Sequence, residues 1–360
     1  MKRVRVAIVD DSTFIRKAMA RMLGDHPKIR IVGVAGSGEE LLAHLDDWSP
    51  DVVTLDLDMP GIGGLATLDR LLSQRPTPVI VLSTHSGKGA PLTIEALHRG
   101  ATDFIDKQSY SLVDFGSLRA VLLEKIFHVT GVSPTGEVLE SEAPAEPSPR
   151  SELEPVDEAP AHTRRYDIIA LGASTGGPPT IQQILEDLGE TTAVPVVVVQ
   201  HMPVGFTHAF AERLNAHLPL HVSEAKPMER LLRGSVYIAP AGSHLRIVRS
   251  EGHLYSEISI FGGDYPHVPS IDVLFHSIAK TVGSRAVAAL LTGMGHDGAQ
   301  GLLALKKQGS YTLVQDEASC VVFGMPRVAL SLGAAREVAA LDQLGPRIRE
   351  LINRRLEDDP

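Results

Sequence analysis

Cysteine is nearly missing from this chain: Cys320 stands alone among 360 residues. That count excludes a disulfide framework and a cysteine-built zinc site, and it makes a reducing compartment, the cytoplasm, the expected home. Long apolar runs are missing too. Stretches such as 194–199 (VPVVVV) fall far short of the ~20 residues a spanning helix needs, so no membrane insertion is expected. The opening residues Met1-Lys2-Arg3-Val4-Arg5 enter a strand pattern at once, without the apolar core or cleavage site of a secretory leader. Basic charge is in the minority, with 34 Lys and Arg against 44 Asp and Glu and a net charge of -10. A nucleic-acid partner needs a clustered cationic surface, so none is expected. What is present is ordinary globular material. At 43% hydrophobic residues, 360 residues suffice for two domains with cores of their own.

Residues 1 to 130 alternate short apolar runs (4–9, 29–35, 52–55, 79–82, 103–105) with helical patterns (13–23, 39–45, 65–72, 91–97, 112–130). This alternation predicts an α/β fold, a parallel sheet with helices on both faces, whose functional edge lies at the carboxyl ends of the strands. Acids are placed there: Asp10 and Asp11 after the first strand and Asp56 after the third. Converging carboxylates repel one another, and their hard oxygens suit a divalent cation such as Mg²⁺. Ser83-Thr84 follows the fourth strand and Lys107 the fifth, a hydroxyl and an ammonium of the kind that meets an incoming phosphoryl group. Each acid taken alone is equally a turn residue or helix cap. Together the five resemble the site of a response-regulator receiver domain. The resemblance implies a flavodoxin-like doubly wound sheet, with Asp56 as phospho-acceptor, Asp10, Asp11 and Asp56 around Mg²⁺, and Ser83 and Lys107 as the switch residues. Two departures stand out: Asp58 where related receivers often carry Glu, and Gln108 after Lys107 where a cis-proline is usual.

Residues 131 to 165 hold six prolines among eight acids, Glu137 to Glu158, with Arg150 the one base before Arg164. Such a segment buries too little apolar surface to offset its ordering and reads as an extended, self-repelling tether.

In the remaining half, 166–355, the run Ile168-Ile169-Ala170-Leu171 leads into Gly172-Ala173-Ser174-Thr175-Gly176-Gly177 and then Pro178-Pro179. The pattern is strand, tight turn and helix, with the helix expected from about Thr180 to Leu188. It presents a serine at a strand end with small neighbours and free backbone N–H groups. A glycine turn that holds phosphate, or that is only structural, is the plain alternative. A second buried run, 194–199, ends in Gln200-His201, and a third, 286–291, ends in Thr292-Gly293-Met294-Gly295-His296-Asp297-Gly298. Ser174, His201 and Asp297 thus arrive from three strand ends as nucleophile, base and orienting acid. His296 is the rival base, although adjacent residues seldom meet as base and orienter. Cys320 is the rival nucleophile, although a lone cysteine is commonly a small buried hydrophobe. The order Ser, His, Asp differs from the Ser, acid, His of α/β-hydrolases.

The blocks LGASTGGPP (171–179), QHMPVGFTHAFAERLN (200–215), YIAPAGSHL (237–245), HVPSIDVLFHS (267–277), TGMGHDGAQG (292–301) and QDEASCVVFGMP (315–326) resemble the catalytic domain of the chemotaxis protein-glutamate methylesterases, the CheB family. The resemblance implies a second doubly wound α/β domain and a triad of Ser174, His201 and Asp297. The oxyanion would be held by the N–H of Met294, with Thr175 as a further donor. It implies hydrolysis of glutamate γ-methyl esters, and deamidation of glutamines, on the cytoplasmic helices of methyl-accepting chemoreceptors. It also implies a chemotaxis histidine kinase as phosphodonor and no cofactor at the hydrolase site. Arg165, Arg213, Arg230, Arg233 and Arg246 are candidates to guide an acidic receptor surface. A transcription factor would need a basic helix-turn-helix after residue 165, where the pattern is strand-rich α/β instead. A receiver-controlled esterase for a small molecule would use the same three residues.

Overall fold

The computed structural model describes residues 3–83, 89–107, 115–132, 166–190, 192–260 and 265–353. The tether expected from 131 to 165 therefore lies outside the described residues from 133 onward, as do Thr84, Gln108 and Arg165. By contacts the chain divides into two units, residues 1–82 with 110–164 and residues 83–109 with 165–360.

A first sheet has the order β2-β1-β3-β4-β5, formed by β1 (Val4–Val9), β2 (Ile29–Ala35), β3 (Val52–Asp56), β4 (Val79–Ser83) and β5 (Asp103–Asp106). The registers of β1 with β2, β1 with β3 and β3 with β4 are parallel. Strands β3 and β4 are buried throughout, as expected of continuous apolar runs covered on both faces. Helices α1 (Thr13–Gly24) and α2 (Gly38–Ala43) begin after Ser12 and Ser37, whose hydroxyls accept from Ile15 N–H and Glu40 N–H. Serine is favoured there because it satisfies an amide that the first turn leaves without a partner. Helices α3 (Leu45–Trp48), α4 (Gly63–Gln74), α5 (Gly89–His98) and α6 (Phe115–Val129) complete the alternation.

The second sheet has the order β14-β13-β12-β6-β7-β9-β8. Its strands are β6 (Ile168–Ala173), β7 (Val196–Gln200), β8 (His221–Glu224), β9 (Ser235–Ile238), β12 (Ala286–Leu290), β13 (Tyr311–Gln315) and β14 (Glu337–Ala339). Its six strand pairings are parallel among the described residues. The hairpin of β10 (His244–Ser250) and β11 (His253–Ser259) stands apart as an antiparallel pair. The chain leaves β6 toward β7 on one side and returns to its other side with β12. In an open parallel sheet that reversal opens the crevice where ligands bind.

Helices α7 (Gly177–Leu188), α8 (Phe206–His217) and α10 (Ala299–Lys307) follow β6, β7 and β12 in the chain. Each is entered through a left-handed glycine, Gly176 (φ 77), Gly205 (φ 90) and Gly298 (φ 89). A side chain is strained at that φ, so the glycines of these turns are geometric requirements. Helix α7 starts three residues before the expected Thr180, because Pro178 and Pro179 sit in its first turn, where no amide donor is needed. Helices α9 (Ile271–Thr281), α11 (Met325–Ser331) and α12 (Leu341–Asn353) complete this half. Its core joins Ile168, Ala170, Val197 and Val199 to Ile271, Leu274, Phe275 and Ile278, all fully buried.

Candidate active site

The register of the second sheet pairs Ala173 of β6 with Gln200 of β7, so Ser174 and His201 are the next residues on neighbouring strands. The His201 N–H donates to Ala173 O at 3.1 Å, and the Ser174 N–H donates to Thr292 O, just past β12, at 3.0 Å. Three strand ends meet at one place. Gly293 lies against the serine so closely that a Cβ there would fall 2.8 Å from Ser174 Cβ. The Ser174 hydroxyl makes no hydrogen bond among the described residues.

His201 Nε2 lies 2.8 Å from Asp297 Oδ2. Three more donors converge on that carboxylate: the Ser270 hydroxyl at 2.8 Å and Asp272 N–H at 3.0 Å to Oδ1, and Ile271 N–H at 2.7 Å to Oδ2. Burial pushes the Asp297 carboxyl up, but His201 and the two backbone amides outweigh it and bring it down to about 2. The acid is therefore ionised at neutral pH and accepts at both oxygens. Its partner nitrogen, Nε2, carries the imidazole proton, which leaves Nδ1 as the basic nitrogen. His201 Nδ1 is buried and has no partner among the described residues.

The surroundings separate the other candidates. His296 is exposed, while the carboxylate beside it in sequence is taken by His201 and the start of α9. The Cys320 thiol is pushed up to about 12, by burial first and then by Asp316, far from a reactive thiolate. Among the described residues, the N–H groups of Met294 and Thr175 donate to no protein acceptor, so both are free to meet an oxyanion. The Thr175 hydroxyl donates to Asp103 Oδ2 at 2.6 Å. His267 stacks on His201, with ring centroids 4.2 Å apart at 22°. Buried His244 accepts from Ser270 N–H at 3.2 Å.

A family model described as "CheB methylesterase" matches residues 169–348, and one described as "Response regulator receiver domain" matches residues 6–113. The protein-glutamate methylesterase/protein-glutamine glutaminase of Syntrophotalea carbinolica is 39% identical over 98% of this chain and 99% of its own length. A protein of the same name from Bordetella avium, numbered 2, is 40% identical over 97% of each. The crystal structure of the Thermotoga maritima CheB methylesterase catalytic domain matches at 35% identity with a TM-score of 0.50, covering 52% of this chain and 98% of that one.

This chain belongs to the CheB methylesterase family. It is a hydrolase of that family preceded by a receiver domain, and both parts have the α/β architecture expected of them.

The receiver's acids lie where the strand pattern predicts. Asp10 and Asp11 follow β1 and Asp56 ends β3, with one carboxylate oxygen of each within 4.8 Å of the others. Asp10 and Asp56 are buried and Asp11 is exposed. Asp10 Oδ1 accepts from Ser12 N–H at 2.9 Å and Asp56 Oδ1 from Asp58 N–H at 3.2 Å. A cluster of hard oxygens open on one side fits a small divalent cation that keeps part of its water shell. Ser83 ends β4, where its hydroxyl bonds Gly89 O at 3.2 Å and the Thr93 hydroxyl. Lys107 follows directly on β5.

Of the arginines expected to guide a substrate, Arg213 is committed elsewhere, its guanidinium on the Glu95 carboxylate. Arg230 holds His253 Nδ1 at 2.9 Å, and the departure at Gln108 lies outside the described residues. Sequence reasoning missed Ser270, Gln200 and His267. Ser270 carried a usable signal: it precedes a periodic apolar stretch as an N-cap does, and its hydroxyl accepts from Val273 N–H. The residue that caps α9 therefore also donates to Asp297.

Proposed function

We propose that the chain hydrolyses glutamate γ-methyl esters, and deamidates glutamines, on the cytoplasmic helices of chemoreceptors, and that phosphorylation of Asp56 switches this activity on. The observation that carries the reading is the Asp297–His201 pair, with Nδ1 left basic and unpartnered next to the strand end that bears Ser174. Nδ1 takes the Ser174 hydroxyl proton as the oxygen attacks the γ-carbonyl. The imidazolium so formed is stabilised by Asp297, and the N–H groups of Met294 and Thr175 take up the charge that develops on the carbonyl oxygen. Collapse returns the proton from Nδ1 to the leaving group, methanol from an ester or ammonia from an amide. Water then repeats the sequence on the acyl-serine. One site serves both reactions because nucleophile and oxyanion donors meet the same carbonyl.

In the receiver, Asp56 is the acceptor of a phosphoryl group supplied by a chemotaxis histidine kinase. Asp10, Asp11 and Asp56 would hold Mg²⁺, which neutralises charge as the phosphoryl group moves. Ser83 and Lys107 are the switch residues that meet the bound group. The link between the two activities is supported inside the unit that holds residues 83–109 together with 165–360. There the Asp103 carboxylate accepts from the hydroxyl of Thr175, the residue next to the nucleophile, and Glu95 of α5 takes Arg213 of α8. Phe104 packs on Phe206 with centroids 4.7 Å apart. Release of these contacts on phosphorylation would open the rim to a receptor helix.

The deciding measurement is methanol release from methylated receptor fragments, with and without a small phosphodonor and Mg²⁺, beside a panel of short esters. Receptor turnover that rises with phosphodonor is the expected result. Turnover of the short esters alone would transfer the site to a small-molecule esterase.

A further inference from the structure

Gln200 ends β7 with 2% of its surface exposed, and the mechanism above makes no use of it. Its Nε2 donates to Ser174 O at 2.8 Å and to His201 O at 3.1 Å. The orientation of the amide is fixed by these partners: a flipped group would set Oε1 against two carbonyl oxygens, acceptor against acceptor. Its Oε1 is buried and has no partner among the described residues. A buried acceptor left without a donor is destabilising, and a leucine or methionine at this β7 position would avoid that cost. An apolar side chain would suit the sheet better at this site, and what the amide adds is the pair of bonds to the backbones of Ser174 and His201.

The neighbouring turn is shaped to admit this amide. A Cβ on Gly177 would fall 1.9 Å from Gln200 Oε1, so only glycine at the head of α7 leaves room for it. The Gly177 N–H donates at 2.8 Å to the same Ser174 carbonyl that Nε2 holds. That carbonyl is therefore gripped from the helix side and from the strand side. Neighbouring parallel strands are normally tied by their ladders, but here the last backbone bond runs from His201 N–H to Ala173 O. Past it, the carbonyls of Ser174 and His201 are joined through Gln200 Nε2.

We infer that Gln200 is a positioning residue, whose single NH₂ group ties the nucleophile turn to the base turn and fixes the distance between Ser174 Oγ and His201 Nδ1. The inference rests on reading those two residues as nucleophile and base. It concerns geometry and not substrate contact. A tie of this kind acts on the chemical step and leaves binding alone, because a misplacement of about 1 Å between reacting groups costs on the order of 10²-fold in rate.

The test uses the full chain and three variants. Gln200→Met keeps the length and removes both donors. Gln200→Glu keeps one O–H donor while its buried carboxyl is protonated and none once it ionises. Gly177→Ala displaces the amide without altering it. Two readouts are taken: kcat and KM for methylated receptor fragments, and hydrogen exchange at the amides of 174–177, 201–202 and 204–206. For Gln200→Met we expect kcat to fall about 10- to 100-fold with KM within twofold, and exchange to quicken in both turns but not in β12. Gln200→Glu should fall between, closer to the parent protein at pH 6 than at pH 8 when each is compared at the same pH. Gly177→Ala should resemble Gln200→Met.

A folded Gln200→Met protein with parental kcat, or a loss carried wholly by KM, overturns the inference. Should Ser174→Ala stay active, the reading of the nucleophile fails separately. The exchange data then still decide whether Gln200 joins the two turns: quickening confined to them supports it, and unchanged exchange overturns it.

Discussion

At the carboxyl edge of the first sheet three carboxylates bring oxygens within 4.8 Å of one another. At that of the second, one carboxylate, Asp297, is surrounded by a histidine, a hydroxyl and two backbone amides. Both edges are strand ends of doubly wound parallel sheets, where side chains project into a crevice. The first leaves negative charge for an external cation to neutralise. The second satisfies its charge internally, with the N-terminus of α9 as a built-in positive pole. Architecture supplies the place, and the number of donors supplied per acid decides whether the place recruits a ligand or polarises a histidine.

The comparison breaks most sharply at the nucleophile. Ser174→Ala should lower ester hydrolysis by on the order of 10⁴- to 10⁶-fold while the fold stays intact, and His201→Ala should be nearly as severe. Methanol release measures both. Near-normal turnover in His201→Ala together with loss in His296→Ala would reverse the assignment of the base. Asp297→Asn should cost less, about 10⁴-fold, because nucleophile and base remain.

On the receiver edge the effect on rate is smaller, though the effect on labelling is complete. Asp56→Asn should take no phosphoryl group from acetyl phosphate and Mg²⁺, and removal of divalent ions should prevent labelling of the parent protein. Labelled Asp56→Asn protein would move the acceptor elsewhere. A chain beginning near residue 164 should hydrolyse its substrate about 5- to 150-fold faster than the unphosphorylated full chain, the range of a coupling of about 1–3 kcal/mol. A folded truncation no faster than the full chain would remove inhibition from the account. Phosphodonor activation beyond the truncated rate would give the receiver a positive role as well.

The smallest effect is on stability in acid. Asp297 has its folded-state pKa depressed from 3.8 to about 2, so its stabilisation is fully present above about pH 4 and is lost as pH falls through about 2. The shift corresponds to about 2 kcal/mol. Urea unfolding of Asp297→Asn should show a shallower fall in stability between pH 4 and 2 than the parent. Parallel curves would mean that the donors around the carboxylate do not hold its charge.

Much of this site was legible because each candidate sat at the end of an apolar run. Ser174, His201 and Asp297 are found by locating strands and reading the next residues, and Asp10, Asp11 and Asp56 by the same rule. The donors to Asp297 were not legible, since Ser270 and Ile271 lie 27 and 26 residues before it and belong to no strand end. Gln200 read as the last residue of a buried strand, with nothing in the sequence to say that its amide faces two carbonyls. The hairpin β10–β11 and the edge strand β8 were likewise unseen, because their half-exposed, polar-interrupted patterns lack the unbroken apolar runs of the central strands. Arg213 shows the opposite error: a surface arginine offered to a substrate is already paired with Glu95.

The position of β6 between β7 and β12 has a consequence for biosynthesis. β6 leads into Ser174, is buried at every position and takes one of its two partners, β12, from a segment roughly 120 residues further along the chain. At ordinary translation rates that partner leaves the ribosome on the order of ten seconds later. Until then one side of an apolar strand is an open edge, the kind that pairs with another chain. The nascent polypeptide therefore passes through an interval in which this edge is open to pairing and the Ser174 turn lacks the Thr292 carbonyl that anchors it. The Ser174 turn is anchored, and His201 gains its Asp297 partner, only once the chain has been made past residue 297.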